Sequence, residues 1–561
     1  MKSDIQINIW KYAVISMIPF LFGMIVIAPF QDVFYGGDDW AYAWSVQNLI
    51  DNSKLQASDW ATAPAVPQIL WGALFVKIFG WSISILNIST IVAAFFAGLA
   101  FFYILVVLNF KKSTAVLSTI LVTVSPLYLG MSMSFMTDSM YTSLTLLACA
   151  FYVNAILNKS SIFALIGGLF CGAAFLNRQF GIVLLIAYFL ATLFWYFTSS
   201  DKQCRRDISK VAFIGTILPI FIIGISLLHP EIMGGKTIAQ AYVIDTRESI
   251  MRLFDIPKLL IKILIMFDYL IVLLCPLLIS FFFSERKKLH YLLRNKLLLV
   301  IIALFLMAGP ALWFFITGVG IQGDVFQVNA KYGNNEILSE LTFTAFFILC
   351  ILPGTLLIAK TFKLIRASYN TSTYHDFLKK VNTDPSSIAI LLIFLVAFGQ
   401  AILTASHLSF YNNYFLPILP FFAICMLFVL KDMNQNIYLS NSLVMIFFLC
   451  SVLYTESTAR FVEASWEEAD VLVVSGKAPS TIFPWPAWYG WRNANEVHDF
   501  MRRAVDEGNF PMDVIGIAYK DAKTHVIGSS RHPLYNEVID RSVNYETLLG
   551  TRKLWVYEKI D

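Results

Sequence analysis

Two adjacent carboxylates, Asp38 and Asp39, follow the first long apolar run, in the stretch Phe34-Tyr35-Gly36-Gly37-Asp38-Asp39-Trp40-Ala41-Tyr42. Ionised side chains at a bilayer boundary are costly unless solvated or paired, so their position needs a reason. Two readings fit these residues alone: a solvated loop or helix cap, and an acid–base site. Further polar groups stand at the ends of other apolar runs. Asp138 sits in Ser134-Phe135-Met136-Thr137-Asp138, where a helix should begin. Asn177-Arg178-Gln179 makes an abrupt turn between two apolar runs, and His407, Tyr411, Asn412 and Asn413 precede Phe415-Leu416-Pro417-Ile418-Leu419-Pro420. Each has a plain structural reading: a helix N-cap for Asp138, a snorkelling anchor for Arg178, helix kinks for the prolines.

One reaction uses all of these residue types. An enzyme taking a group from a lipid phosphate must hold the phosphate at the interface and deprotonate an incoming hydroxyl. Arg178 suits the first task, because a guanidinium recognises phosphate through charge-assisted, bidentate hydrogen bonds. A carboxylate within hydrogen-bond reach suits the second. No acid is required for departure, since a lipid phosphate leaves well without protonation, unlike a sugar alkoxide.

The elements that must position these groups are membrane helices. The chain has 561 residues, is 58% hydrophobic and 14% charged, and has a mean hydropathy of +0.68. Too little polar surface is available to cover a soluble globule. Apolar runs of suitable length predict about 13 transmembrane helices. They lie near 12–30, 83–108, 114–129, 140–157, 161–177, 180–198, 211–228, 258–283, 297–317, 338–359, 387–405, 413–430 and 441–454. Lys111 and Lys112, the 202–210 stretch, 286–296 and 360–380 put the basic residues in alternate loops. This bias places the N-terminus in the cytoplasm and the Asp38–Asp39 loop outside, with the C-terminus outside as well. No cleavable signal peptide is evident.

The first outer segment, about 40–80, is expected to hold juxtamembrane helices. Trp40 to Ile50 and Gln68 to Phe79 show helical spacing, with Pro64 and Pro67 between them. Gln68 to Trp81 also fits part of a tilted span. From residue 455 the chain turns polar, which predicts a small C-terminal extracytoplasmic α/β domain over 455–561 behind a transmembrane domain over 1–454. Strands are expected at Val471–Val474, Met512–Ala518 and Leu554–Tyr557, and an amphipathic helix at Asn495–Glu507. None of the seven cysteines lies in an outer loop or in the polar tail, so no disulfide framework is offered. The histidines form no ligand-spaced cluster, so the sequence offers no metal site and leaves dependence on a divalent metal open; no cofactor is expected, and His525 and His532 read as solvated surface. A net charge of +4 carries no nucleic-acid message, and no phosphate-cradling glycine loop argues for a nucleotide-driven pump.

Asp38-Asp39-Trp40-Ala41-Tyr42 resembles the Asp-Glu/Asp-x-x-Tyr motif that follows the first helix of the membrane-embedded GT-C glycosyltransferases. The nearest branch is the protein O-mannosyltransferase and aminoarabinose-transferase group. Met136-Thr137-Asp138 resembles its second acidic motif, and Phe410 to Pro420 its Arg-Tyr-Leu-Leu-Pro-x-x-Pro stretch. The resemblance implies a GT-C-like polytopic α-helical membrane protein. It implies Asp38 as general base, with Asp39 and Asp138 helping to bind acceptor or donor. Tyr42, Gln179, His407, Tyr411 and Asn413 complete the expected substrate-binding set. The donor implied is a polyprenyl-phosphate sugar, transferred with inversion. Asn413 stands where the family often has Arg, which leaves the phosphate to Arg178, with Lys236 or Arg247 as further candidates. The acidic double-Trp motif of oligosaccharyltransferases is absent; Trp485 to Trp491 echoes it without an acid and reads as an aromatic loop of the tail.

The expected activity is therefore an inverting glycosyltransferase of a bacterial inner membrane. Its partners would be membrane lipids, the lipid-linked donor and an envelope glycan, lipid or protein hydroxyl as acceptor. A transporter or flippase of lipid-linked saccharides also needs many helices and a few polar groups. It commonly shows internal repeats and polar groups near the midplane, whereas here they gather at one face. An assembly protein of the envelope would be indifferent to replacement of Asp38.

Overall fold

The computed structural model describes residues 2–61, 63–199, 201–228, 251–284, 354, 357–358, 360–361, 384–407, 411–506, 525–528 and 537–559. Its helices are α1 (Lys2–Ile27), α2 (Asp39–Asn52), α3 (Val66–Phe79), α4 (Ile83–Val107), α5 (Lys112–Thr123), α6 (Pro126–Ser132), α7 (Thr137–Asn158) and α8 (Ser161–Asn177). They continue as α9 (Ile182–Thr198), α10 (Lys202–Leu228), α11 (Ile256–Ser284), α12 (Pro385–Ser406), α13 (Leu419–Val429) and α14 (Ile437–Val474). Two short helices follow, α15 (Pro486–Arg492) and α16 (Ala494–Asp506). Among the described residues, eight helices are long and apolar enough to cross a membrane, or nine with one bent pair taken as a single span. The chain is a multi-pass helical membrane protein with a small C-terminal sheet. Expected spans at 297–317 and 338–359 fall outside the described residues, but for isolated positions.

Three expectations are corrected. The run 114–129 is not one straight span: α5 and α6 meet at a 60° bend. Pro126 opens α6 with no N–H to give, and the Ser125 hydroxyl takes the Tyr128 N–H in its place. The bend carries the chain to residues 133–136, which enter the site. The run Gln68 to Trp81 is no span by itself. α3 has 14 residues, roughly 21 Å, too short for a hydrocarbon core of about 30 Å. The span expected at 441–454 continues to Val474 as one helix of 38 residues, roughly 57 Å long. Val471–Val474 is therefore its last turn and no strand, and the chain is continuously helical across 454–455.

Strands β1 (Ile482–Phe483), β2 (His525–Gly528), β3 (Glu537–Thr547) and β4 (Gly550–Lys559) form a sheet in the order β1-β2-β4-β3. β1 and β2 are parallel; β2–β4 and β3–β4 are antiparallel, with a bulge between Ile539 and Arg541. The strand expected at 554–557 and the helix expected at 495–507 are present, while 512–518 lies outside the described residues. His525 is buried on β2, its Nε2 3.7 Å from a Glu558 oxygen, so it is not solvated surface; His532 lies outside the described residues. The sheet rests on α14. Arg541 pairs with Glu468, and the Leu548 N–H donates to a Glu456 oxygen at 3.1 Å.

Candidate active site

The loop after α1 is tied down before it reaches the carboxylates. Asp32 accepts the Ile83 N–H at 2.6 Å and so caps α4, and Asn87 donates to the Val33 carbonyl at 3.0 Å. Tyr35 donates to Glu463 of α14 at 2.6 Å. Phe34 packs edge-on against Trp466 and Trp491. Trp485 to Trp491 is thus no loose aromatic loop: α15 packs on α2, close enough that a Cβ on Gly490 would strike the Trp40 indole.

The adjacent carboxylates face different surroundings. Asp39 is fully buried and accepts from the Gly36 N–H at 2.8 Å and the Ser134 hydroxyl at 2.7 Å. A Cβ at Gly36 would lie 2.6 Å from an Asp39 oxygen and 2.7 Å from Met136 Cγ, so the loop needs glycine there. Burial pushes the Asp39 carboxyl up to about 7 against these hydrogen bonds. Asp38 is half-buried and precedes α2 without capping it by its side chain. Its carboxylate accepts from the Trp60 indole N–H at 2.8 Å. Burial raises its pKa above the ordinary carboxylate value and the Trp60 bond works against that; Asp138 raises it further and Arg178 lowers it.

Within electrostatic reach of Asp38 stands an ion pair built from separate elements. Arg178, just past α8, pairs with Asp138 in the first turn of α7. Asn413 donates to the other Asp138 oxygen at 3.2 Å, and the Tyr414 ring lies 4.8 Å from the guanidinium carbon. Asn177 donates to the Thr137 carbonyl at 3.1 Å, which locks the end of α8 to the start of α7. Burial works to lower the Arg178 pKa, but Asp138, then Tyr414 and Tyr42, carry it above its usual value. Tyr42, buried on α2, and Tyr414 both feel the charges of Asp38, Asp138 and Arg178. The groups therefore form one electrostatic unit at one end of the bundle.

Of the expected site residues, Asp38, Tyr42, Asp138, Arg178 and Asn413 converge. Asn413 faces Asp138 and holds the acid in place, standing where the family's Arg was expected. Asp39 is turned away into the loop. His407 and Tyr411 line the far side of Tyr414, with ring centroids 5.0 and 5.9 Å from it. Gln179 sits beside Arg178, and its Nε2 is buried with no hydrogen-bond partner among the described residues. Asn177 Oδ1 and Asn412 Nδ2 are in the same condition. Buried polar atoms are nearly always paired, so these three carry hydrogen-bonding capacity that the described residues leave unused. Arg247 and Lys236 lie outside the described residues.

Several contributors were not legible. Trp60, Ser134 and Tyr414 touch the charged groups, yet no local pattern distinguishes them from other aromatic or hydroxyl residues. Lys262 of α11 reaches the His407 carbonyl at 2.9 Å and brings a cation to this end. Its sequence signal was only its place near the start of an apolar run.

Residues 62–226 match a family model described as dolichyl-phosphate-mannose-protein mannosyltransferase, under a third of the chain. The match includes Asp138 and Arg178 but not Asp38. Among solved structures, ArnT from Cupriavidus metallidurans bound to undecaprenyl phosphate is similar at 10% identity, covering 97% of each chain with a TM-score of 0.45. The archaeal oligosaccharyltransferase AglB from Archaeoglobus fulgidus, in complex with an inhibitory peptide and a dolichol-phosphate, is similar at 14% identity. That match covers 82% of this chain and 58% of AglB, with a TM-score of 0.38. No curated protein matches. The resemblance to GT-C membrane glycosyltransferases is thus met by a family model from the protein mannosyltransferase branch.

Proposed function

We propose that this chain is an inverting glycosyltransferase that moves a sugar from a polyprenyl-phosphate donor to a hydroxyl acceptor. The observation that carries the reading is a half-buried carboxylate, Asp38, within electrostatic reach of a fixed guanidinium, Arg178, at one end of a membrane bundle. The family-model match over 62–226 supports the same class. Asp38 takes the proton of the acceptor hydroxyl, whose oxygen attacks the anomeric carbon. The bond from that carbon to the phosphate oxygen breaks, and the lipid phosphate leaves with the electron pair. Arg178 meets the charge that develops on it. A guanidinium has five N–H donors, more than Asp138 consumes, so the pair can hold a phosphate as well. A base raised above the ordinary carboxylate value is also a stronger one, as general-base catalysis favours.

The alternate distribution of basic loops supports a site on the extracytoplasmic face with the N-terminus in the cytoplasm, and the lack of cysteines in the expected outer loops fits a bacterial inner membrane. Envelope glycans, lipids and proteins all present hydroxyls there, and the segment 455–561 would sit beside them over the transmembrane part, 1–454.

The test is sugar transfer in proteoliposomes with labelled polyprenyl-phosphate sugars and native-envelope acceptors, comparing wild type with Asp38→Asn. Retained donor binding with turnover lowered at least ~100-fold is expected. Equal turnover would remove Asp38 from the chemistry. Labelled lipid crossing the bilayer without transfer in either protein would replace the enzyme by a flippase.

A further inference from the structure

The carboxylate of Asp38 is steadied from the C-terminal region. Ser58, Asp59, Trp60 and Ala61 form a turn closed by Ala61 N–H donating to the Ser58 carbonyl at 3.0 Å. Ser58 is fully buried, and its N–H donates to the Ser45 hydroxyl of α2 at 2.9 Å. The turn's outer grip comes from α16. That helix buries Val497, His498 and Met501 on one face, so a polar ring lies in an apolar stripe and must find a partner. His498 Nε2 meets the Ser58 hydroxyl at 2.7 Å, and Arg502, one helical turn on, donates to Asp59 at 2.8 Å. The next residue, Trp60, donates to Asp38. Trp40 fills the space between, stacked on His498 at 5.7 Å and 5.8 Å from Trp60, while Trp44 meets the His498 ring edge-on at 4.4 Å.

We infer that His498 and Arg502 are positioning residues for the base: they hold the Ser58–Asp59 turn so that Trp60 keeps its hydrogen bond to Asp38. The C-terminal region is then a working wall of the active site, beyond any part in acceptor choice. This inference rests on the proposed role of Asp38. The Trp60 bond favours the charged carboxylate, so loosening the turn leaves Asp38 harder to ionise. The other groups facing Asp38 are Asp39, Asp138, Arg178, Tyr42 and Tyr414, and those facing His498 are Asp59, Asp499 and Arg502.

The full-length protein in proteoliposomes tests this with three readouts. They are hydrogen exchange over peptides spanning 54–62, carbodiimide labelling of the Asp38 carboxyl across pH, and the pH profile of transfer. Trp60→Phe should move the labelling midpoint and the acid limb of kcat/KM upward, a loss of roughly 3–10-fold at a pH on the limb. His498→Ala should speed exchange over 54–62 and shift midpoint and limb the same way. Arg502→Ala, at a half-exposed position, should do so by less, and His498→Gln, which can still bond Ser58, should restore most of the wild-type behaviour. Unchanged exchange in His498→Ala would overturn the inference, as would a labelling midpoint that stays fixed while that of Trp60→Phe moves. Should wild type transfer no sugar, the functional reading fails, and exchange and labelling alone decide the positioning.

Discussion

Arg178 and Asp38 lie within electrostatic reach of one another, but their supports differ in kind. Arg178 is met by Asp138 from α7 and by the ring of Tyr414, while Asn413 fixes the second oxygen of Asp138. Among the described residues Asp38 is held by one indole N–H, from a turn that α16 contacts through His498. Its neighbour Asp39 is closer to Arg178 in this respect, with each oxygen engaged and no exposure. A buried carboxylate with both oxygens engaged inside the protein serves the fold. A carboxylate with capacity left over can take a proton from something else. On the proposed function, adjacent residues of one type are divided between structure and chemistry by their surroundings.

The comparison breaks most sharply if Asp38 and Asp39 are exchanged in role. Asp38→Asn should cost transfer ~100- to 10,000-fold, as loss of a general base does, with folding intact by size-exclusion profile. Asp39→Asn should lower transfer far less and show its effect in thermal unfolding. Next in size is Arg178→Ala, which strands the buried Asp138 without its counter-charge. A destabilisation of about 3–5 kcal/mol is expected. Adding Asp138→Asn should recover part of that stability in detergent melts but none of the transfer, which separates the pair's structural part from phosphate binding. Ser134→Ala takes one hydrogen bond from Asp39 and should cost about 1.5–3 kcal/mol, the range for bonds to a charged group.

A further effect is the pH dependence of stability. Asp39, at about 7 in the folded protein against an ordinary 3.8, binds its proton more tightly when folded. Its contribution is therefore complete below about pH 4 and is lost as pH rises through about 7. Melting temperature should fall over that window, and Asp39→Asn should flatten the fall. Transfer should run the opposite way: its rate should rise with pH as Asp38 ionises, along a limb displaced above the ordinary carboxylate range.

Much of this was legible in the chain. Spans follow from run length, because a helix crosses a fixed thickness at a fixed rise per residue, and α4, α7 and α12 lie close to where hydropathy puts them. The candidate site was legible as a set of polar residues at helix ends, since each interrupts an apolar run. The errors came where local pattern and tertiary use diverge. Val471–Val474 has strand composition yet continues α14, because the helix is already nucleated and each further residue adds a bond. Trp485–Trp491 reads as a loop but is helical against Trp40.

What the sequence determined by itself is the membrane class, the helix positions and the short list of groups able to do chemistry, all properties of side chains and spacing along one strand of chain. Tertiary structure decided which of them meet. Asp138 finds Arg178 40 residues away and Asn413 275 away, and Ser58 finds His498 440 away. Such pairs depend on how helices pack, and no periodicity records that. The different surroundings of Asp38 and Asp39 have the same origin: burial and hydrogen-bond donors are supplied by distant segments, and those set what a carboxylate can do.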